Sequence, residues 1–382
     1  MTKAATAMVQ PADPMDWIAS IDRLGPAFAE HAAAHDAGDR FVADNYAALK
    51  DARLFAAGVP VELGGGGASH AELCDMLRTL AHYCGSTALA FSMHTHMTAI
   101  NVWRWRHDKA PVEPLLKRVA TEQIVLLSSG GSDWLPGSGK AEKVDGGFRI
   151  TARKCFSSGA PAGDILMTSA VYDDPQAGPT VLHFGVPLKA EGVRILDTWR
   201  TLGMRATGSH DIELNGVFVA DAAVGVRRPQ GKWHHLFHVI SMVAFPLIYA
   251  VYVGLAEAAR DKALAVADKR KRDPQQQYLV GEMENAVVAA QLALRHMVEI
   301  AAASKPGPAT TSAIFIGRTL AGQNAIRAVE KAMEVAGGAG FYRDTGLERL
   351  FRDVQGARFH PLQEKPQQQL AGRVALGLDI DG

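Results

Sequence analysis

Only three of the 382 residues are cysteine, Cys74, Cys84 and Cys155, an odd number at unrelated spacings. Neither a disulfide framework nor a zinc ligand set follows, and a reducing cytoplasm is the simplest setting. An excess of one charge is missing too, because forty Lys and Arg balance forty Asp and Glu. Nucleic acid and anionic membranes both select a basic surface, so neither is expected as the main partner. The first residues, MTKAATAMVQPADPMDW, hold no continuous apolar core, and a signal peptide is not expected. No glycine-rich turn joins a strand to a helix. The run Gly64–Gly67 follows no strand-like segment and reads as a loop, which leaves a dinucleotide-binding βαβ unit without support.

One long apolar run is present, LFHVISMVAFPLIYAVYVGLA from Leu236 to Ala256. It contains a His, a Ser and a central Pro and runs into a charged segment, so it reads as the buried helix of a bundle and not as a membrane span. The rest of the composition, 48% apolar and 21% charged, is that of an ordinary globular protein long enough for two or three packed layers.

Periodicity divides the chain into three. The N-terminal domain, 1–122, is dominated from residue 16 onward by helical spacing, as in DRFVADNYAALKDARLF, where Phe41, Tyr46, Leu49 and Leu54 fall at helical spacing. Residues 123–230 change to short β-branched runs separated by Gly, Asp and Pro, such as GGFRITARKCFSSGA and TVLHFGVPL, which read as antiparallel strands. Residues 231–382 return to helices over 236–270, 276–304, 309–336 and 346–378, a four-helix bundle. The expected fold is therefore α+β, in the order helices, antiparallel β domain, bundle.

Six segments in this order resemble the acyl-CoA dehydrogenase superfamily across nearly the whole chain. They are GVPVELGGGG, CGSTALAFSMH, GSD at 131–133, KCFSSGA, LGMRATGSHDIELNGVFV and EVAGGAGFYRDTGLERLFRDV. The resemblance implies a flavin, FAD (or FMN in a monooxygenase), between the β domain and the bundle, in a cytoplasmic homotetramer. It implies that Phe156 packs on the flavin ring and that Ser158 bonds its N5 side, with Ser128 and Ser129 at the pyrimidine edge. Gly337 and Gly338 would let backbone amides approach the pyrophosphate of a neighbouring subunit's FAD, and Arg270 or Arg272 would reach its phosphates. Arg352 and Asp353 match an Arg-Asp pair that pins the last helix to its neighbours, and Arg205 would tie the β domain to the bundle.

One residue of the pattern is missing. Dehydrogenases of this family remove an α-proton with a Glu eight residues after that Asp, and here the position is Pro361. His360 precedes it and Glu364 follows. The alternative family position, on the long apolar helix, brings His238 and no acid. Three readings remain: an acyl-CoA dehydrogenase with His360, His238 or Glu364 as base, acting on acyl-CoA and passing electrons to an acceptor flavoprotein; a monooxygenase like dibenzothiophene monooxygenase, fed by a flavin reductase; or a silent flavin- and acyl-CoA-binding protein. The monooxygenase reading needs Ser and His groups beside the flavin, and the doublet His94/His96 suits it. Residues two apart on a helix point about 200° from each other, so one of the two, not both, is expected to line a site. A residue before proline is pushed out of helical conformation, which would turn His360 towards the substrate face.

Overall fold

The computed structural model describes residues 16–131 and 133–381. Five helices come first: α1 Trp17–Ala37, α2 Ala43–Asp51, α3 His70–Tyr83, α4 Gly85–His107 and α5 Glu113–Glu122. Local chemistry sets their ends. Ser69 accepts from the Glu72 amide while the Glu72 carboxylate accepts from the Ser69 amide, a capping box that starts α3.

Eight strands follow: β1 Leu126–Ser128, β2 Lys140–Val144, β3 Gly147–Lys154, β4 Ile165–Asp174, β5 Gly178–Pro187, β6 Val193–Leu196, β7 Asp211–Ala220 and β8 Val224–Pro229. They form one sheet in the order β6-β7-β3-β2-β4-β5-β8, with β1 on β4. Asp145-Gly146 turns β2 into β3, and Gly146 takes the positive φ such a tight turn requires. Most pairings are antiparallel, but β1/β4 and β2/β4 are parallel. Alternation of apolar residues reports which face of a strand is buried and is blind to strand direction, so these two departures had no signature in the pattern.

The last part holds α6 His235–Ala267, α7 Pro274–Ala303, α8 Pro308–Ala336, α9 Leu347–Val354 and α10 Glu364–Ala375. The α+β class and the three-part order are those read from the sequence. By length and composition α6 and α7 could each cross a membrane, yet the apolar window of α6 is 94% buried within the protein. The fourth bundle helix is not continuous as expected but broken between α9 and α10. Gly356 lies against Tyr252, where a Cβ would come within 2.8 Å of the phenol oxygen, and Pro361 has no amide hydrogen to continue a helix.

The Arg-Asp pair fixes this break in place. Arg352 pairs with Asp36 of α1 at 2.6 Å and with Glu348 at 2.8 Å, while Asp353 accepts from the Met204 amide. The other arginine read as structural, Arg205, bonds the Thr201 carbonyl at 3.0 Å and approaches Asp39 at 3.8 Å. It therefore joins the β domain to the N-terminal helices and not to the bundle.

Candidate active site

A cavity of about 430 Å³ opens between the β domain, one face of α4, the first half of α6 and the break after α9. Its size falls in the usual range for small-molecule sites, roughly 300–1,000 Å³. The α4 face supplies Met93, His96, Met97, Ile100, Asn101 and Arg104, a stripe at helical spacing three turns long.

His94 and His96 separate as their spacing requires. The His94 ring is held at both nitrogens: Nδ1 accepts from the Leu126 amide at 3.0 Å and Nε2 donates to the Phe55 carbonyl at 2.8 Å. It does not line the cavity. Its ring braces α4 against β1, burial pushes it down to about 4, and nothing is left over for catalysis. His96 lines the cavity, with Nδ1–H donating to the Ser92 carbonyl at 3.0 Å and Nε2 without a partner among the described residues. Burial lowers this ring to about 4 as well, so it is a neutral acceptor at physiological pH.

His360 also lines the cavity, because the break between α9 and α10 turns it inward. Its Nε2 lies 2.6 Å from the Tyr252 hydroxyl. That phenol is fully buried and has no other acceptor among the described residues, so its proton goes to Nε2 and the imidazole keeps its own on Nδ1. Burial first, then the Arg318 charge, lowers His360 to about 3. Arg318 also grips the His360 carbonyl at 2.7 Å. One wall thus offers an imidazole acceptor and another an imidazole donor.

Two other candidate bases lie outside the cavity. His238 faces away, stacked on Trp233 at 5.4 Å and bonded to the Thr311 hydroxyl at 2.8 Å. Glu364 opens α10 beside a separate small pocket of about 60 Å³. The helix break that brings His360 in carries Glu364 past the cavity.

The residues assigned to a flavin ring do converge. Phe156, Ser158, Ser128 and Ser129 all line the cavity. Phe156 holds a left-handed φ of 43°, an uncommon strain for an aromatic residue, and packs over Gly131, where a Cβ would sit 2.3 Å from its ring. Ser158 accepts from the Ser209 hydroxyl at 2.8 Å, and Ser129 shares a 2.6 Å bond with Thr168. Ser128 touches the Met93 sulfur at 3.8 Å. An apolar slot floored by a strained aromatic and edged with hydroxyls and loop amides suits a planar heterocycle with a polar rim.

Arg270, Arg272, Gly337 and Gly338 lie apart from this cavity, at the far ends of α6 and α8. Arg270 donates to the Val335 carbonyl at 3.3 Å and approaches Gly337, whose φ is 59°. Gly338 has open space where a Cβ would be, and Arg272 is exposed.

The sequence reading missed several cavity groups. Asp133 is the one carboxylate lining the cavity among the described residues. It is paired with buried Lys154 at 3.1 Å and bonded to Ser138. Lys154 spends its other hydrogens on the Ser138 carbonyl and hydroxyl, both at 2.9 Å. Burial would raise the Asp133 carboxyl, but Lys154 and Ser138 hold it below its ordinary value. Arg104 and His183 were missed as well. Their only signals were a basic residue in an apolar stripe and a lone His inside TVLHFGVPL.

Comparison with known proteins establishes the family. The N-terminal, middle and C-terminal domains of the acyl-CoA dehydrogenase family match residues 25–109, 128–217 and 247–364. The chain belongs to the acyl-CoA dehydrogenase family of flavin-dependent oxidoreductases. Its relatives divide between two chemistries. The Bacillus subtilis (strain 168) protein named "Putative acyl-CoA dehydrogenase YdbM" is 29% identical over 90% of this chain and 92% of its own. The dibenzothiophene monooxygenase of Mycolicibacterium goodii is 27% identical over 82% of each chain. A solved structure of KijD3 with FMN and dTDP-3-amino-2,3,6-trideoxy-4-keto-3-methyl-D-glucose superposes with a TM-score of 0.87. It is 26% identical over 97% of this chain and 96% of its own. Both the oxidoreductase reading and its monooxygenase alternative fit these relatives.

Proposed function

We propose that the protein is a flavin-dependent monooxygenase acting on a small organic substrate. One observation carries this choice over dehydrogenation. The only carboxylate in the cavity wall among the described residues, Asp133, is neutralised by Lys154, and no Glu or Asp is free to remove an α-proton. The imidazoles are poor substitutes. His360, held at about 3, is a weaker base than an ordinary Glu, whose reference value is about 4.3, and an effective base lies nearer the working pH.

Reduced flavin bound in the slot supplies the electrons for splitting dioxygen between substrate and water. Phe156 holds its ring plane and Ser158 its polar edge, with Ser128 and Ser129 around the remaining edge. His96 Nε2 accepts a hydrogen bond from the substrate group being oxidised, and His360 Nδ1–H donates to the oxygen being transferred. The Met, Ile and Phe side chains on α4 and α6 keep bulk water out.

The same reading makes a flavin reductase the electron source and the cytoplasm the location. It also makes the chain a homotetramer, in which Arg270, Arg272 and the Gly337–Gly338 amides approach a neighbour's flavin. Exposed apolar residues on the bundle, Leu292 of α7 and Leu320 of α8 among them, suit burial between subunits.

The test is to supply reduced FMN or FAD, isotopically labelled dioxygen and a panel of aromatic, sulfur and amine substrates. Label in a product supports the proposal. Bleaching of the oxidised holoprotein by acyl-CoAs under anaerobic conditions, with no label incorporated, would establish the dehydrogenase instead.

A further inference from the structure

The cavity has a second end, which the oxygen chemistry does not use. Arg104 lies two helical turns beyond His96 on the same face of α4, about 12 Å further along at 1.5 Å per residue. Its guanidinium has no hydrogen-bond or ion-pair partner among the described residues. The neighbouring acid is already committed, because Asp108 bonds His235 at 3.1 Å. A half-buried guanidinium with all its donors free takes its acceptors from water or from a ligand, and an anionic ligand supplies both the acceptors and the opposite charge.

His183, on β5, adds a donor whose direction is dictated. The Arg228 Nε–H donates to His183 Nε2 at 3.1 Å, and a guanidinium can only donate. The neutral ring must therefore carry its proton on Nδ1, which has no partner among the described residues while the residue lines the cavity. Arg228 cannot swing away to release the ring. It is 2% exposed, bonded to the Leu135 and Trp134 carbonyls, and lies over the Phe237 ring at 4.3 Å.

The two donors belong to one end of the cavity. His235 touches Trp103, the neighbour of Arg104, and two residues on Phe237 touches His183 at 5.9 Å. Arg104 is among the positive charges that, after burial, hold the His183 ring down at about 3. Within the cavity wall no described carboxylate offsets these charges, since Asp133 is taken by Lys154 and Asp108, the acid that acts on Arg104, does not line the cavity.

We propose that this end seats an acidic group, and that the substrate is a small organic acid whose carboxylate, sulfonate or phosphate is received by Arg104 and oriented by His183 Nδ1–H. The opposite end of the molecule then lies between His96 and His360. This assignment rests on the monooxygenase reading only for what happens at that opposite end.

Equilibrium binding tests it without turnover. Calorimetry on the purified protein would compare matched pairs: phenylacetate with phenylacetamide, hexanoate with hexanamide, benzenesulfonate with benzenesulfonamide. At least one acid should bind about tenfold or more tighter than its neutral partner, and Arg104→Gln should erase that preference while Arg104→Lys keeps part of it. If every acid binds no better than its neutral partner, the proposal fails whether or not either variant folds. FMN and riboflavin affinities separate the other source of an anion. If Arg104→Gln weakens FMN but not riboflavin, the end seats the flavin phosphate and the substrate assignment is overturned. Acid preference in a protein that binds no flavin would sink the monooxygenase reading alone. Flavin binding without acid preference would sink this inference alone.

Discussion

Two partly buried polar clusters in this molecule both draw on histidine and arginine and are finished differently. In the second half of α6, Glu257 accepts from Arg78 at 2.9 Å, from His82 at 2.9 Å and from Gln291 at 2.5 Å, so that every strong donor nearby is matched. At the cavity, His96, His360, His183 and Arg104 each present a nitrogen that no described residue satisfies. The first cluster joins α3, α6 and α7 and leaves nothing free to react. The second is anchored from behind and open in front, the arrangement expected where a ligand completes the hydrogen bonding.

Acid should break the second cluster first, and this is the largest effect anticipated. His96, His183 and His360 of this cluster, with His94 packed behind it, are held at about 4, 3, 3 and 4 when folded, principally by burial, against an ordinary value of 6.5. A group whose pKa is lowered on folding contributes stability that is complete above the unfolded value and is lost as pH falls towards the folded one. Between pH 6.5 and 4 the unfolded chain should therefore bind up to about four more protons than the native protein. Chemical denaturation at pH 7.5, 6, 5 and 4 measures this slope. A flat stability profile across that range would show that these rings are not buried as neutral groups.

Removing the carboxylate of the saturated cluster should have the next largest effect. Burial alone would raise Glu257, but hydrogen bonds from His82 and Gln291, with the Arg78 charge, hold it at about 2. Glu257→Ala removes a buried acceptor from Arg78 and His82, which are about a third exposed, so after discounting for solvent the loss is about 2–3 kcal/mol. Denaturant melts should register that loss, and flavin affinity measured on the folded fraction should not change. A change in ligand binding larger than the change in stability would erase the distinction between the two clusters.

His360→Asn should do the reverse. Loss of a positioned proton donor costs on the order of a hundredfold in turnover per folded molecule while flavin binding stays near that of the parent, and the melting temperature falls only by what the Tyr252 hydroxyl loses with its acceptor. The same change at His238, whose ring is spent on Thr311 and Trp233, should leave turnover within about twofold, judged against the scale for a true acid–base group. Equal losses at the two positions would remove His360 from the site.

The contrast also explains what could be read from the sequence. The helix–sheet–helix order was legible because periodicity is local, and the family resemblance followed from six segments that keep their order. The two parallel strand pairings and the break between α9 and α10 were not legible, since they depend on direction and on contacts such as Gly356 against Tyr252. Within the site, the sequence showed that only one of His94 and His96 would face a cavity. Which one depended on the rotation of α4 against β1, set by the Leu126 amide. His183 was hardest to see, because what makes its ring a donor is an arginine 45 residues away.

The smallest effect, and the finest test of the open cluster, concerns Tyr252. Its hydroxyl does not reach the cavity and acts only through His360, so it is a positioning residue. Tyr252→Phe removes the one donor that forces the imidazole proton onto Nδ1, worth about 1 kcal/mol as a single hydrogen bond. Without it the His360 ring divides between two tautomers, and the donor facing the cavity is present only part of the time. Turnover should fall about two- to fivefold, the range that about 1 kcal/mol of tautomer preference allows, with KM nearly constant because no substrate contact has been removed. A purely structural tyrosine would give a lower melting temperature and the same turnover per folded molecule. The nitrogen NMR shifts of His360 separate the cases directly. They should report protonated Nδ1 in the parent and a mixture in the variant, and identical spectra would show that Tyr252 does not set the tautomer.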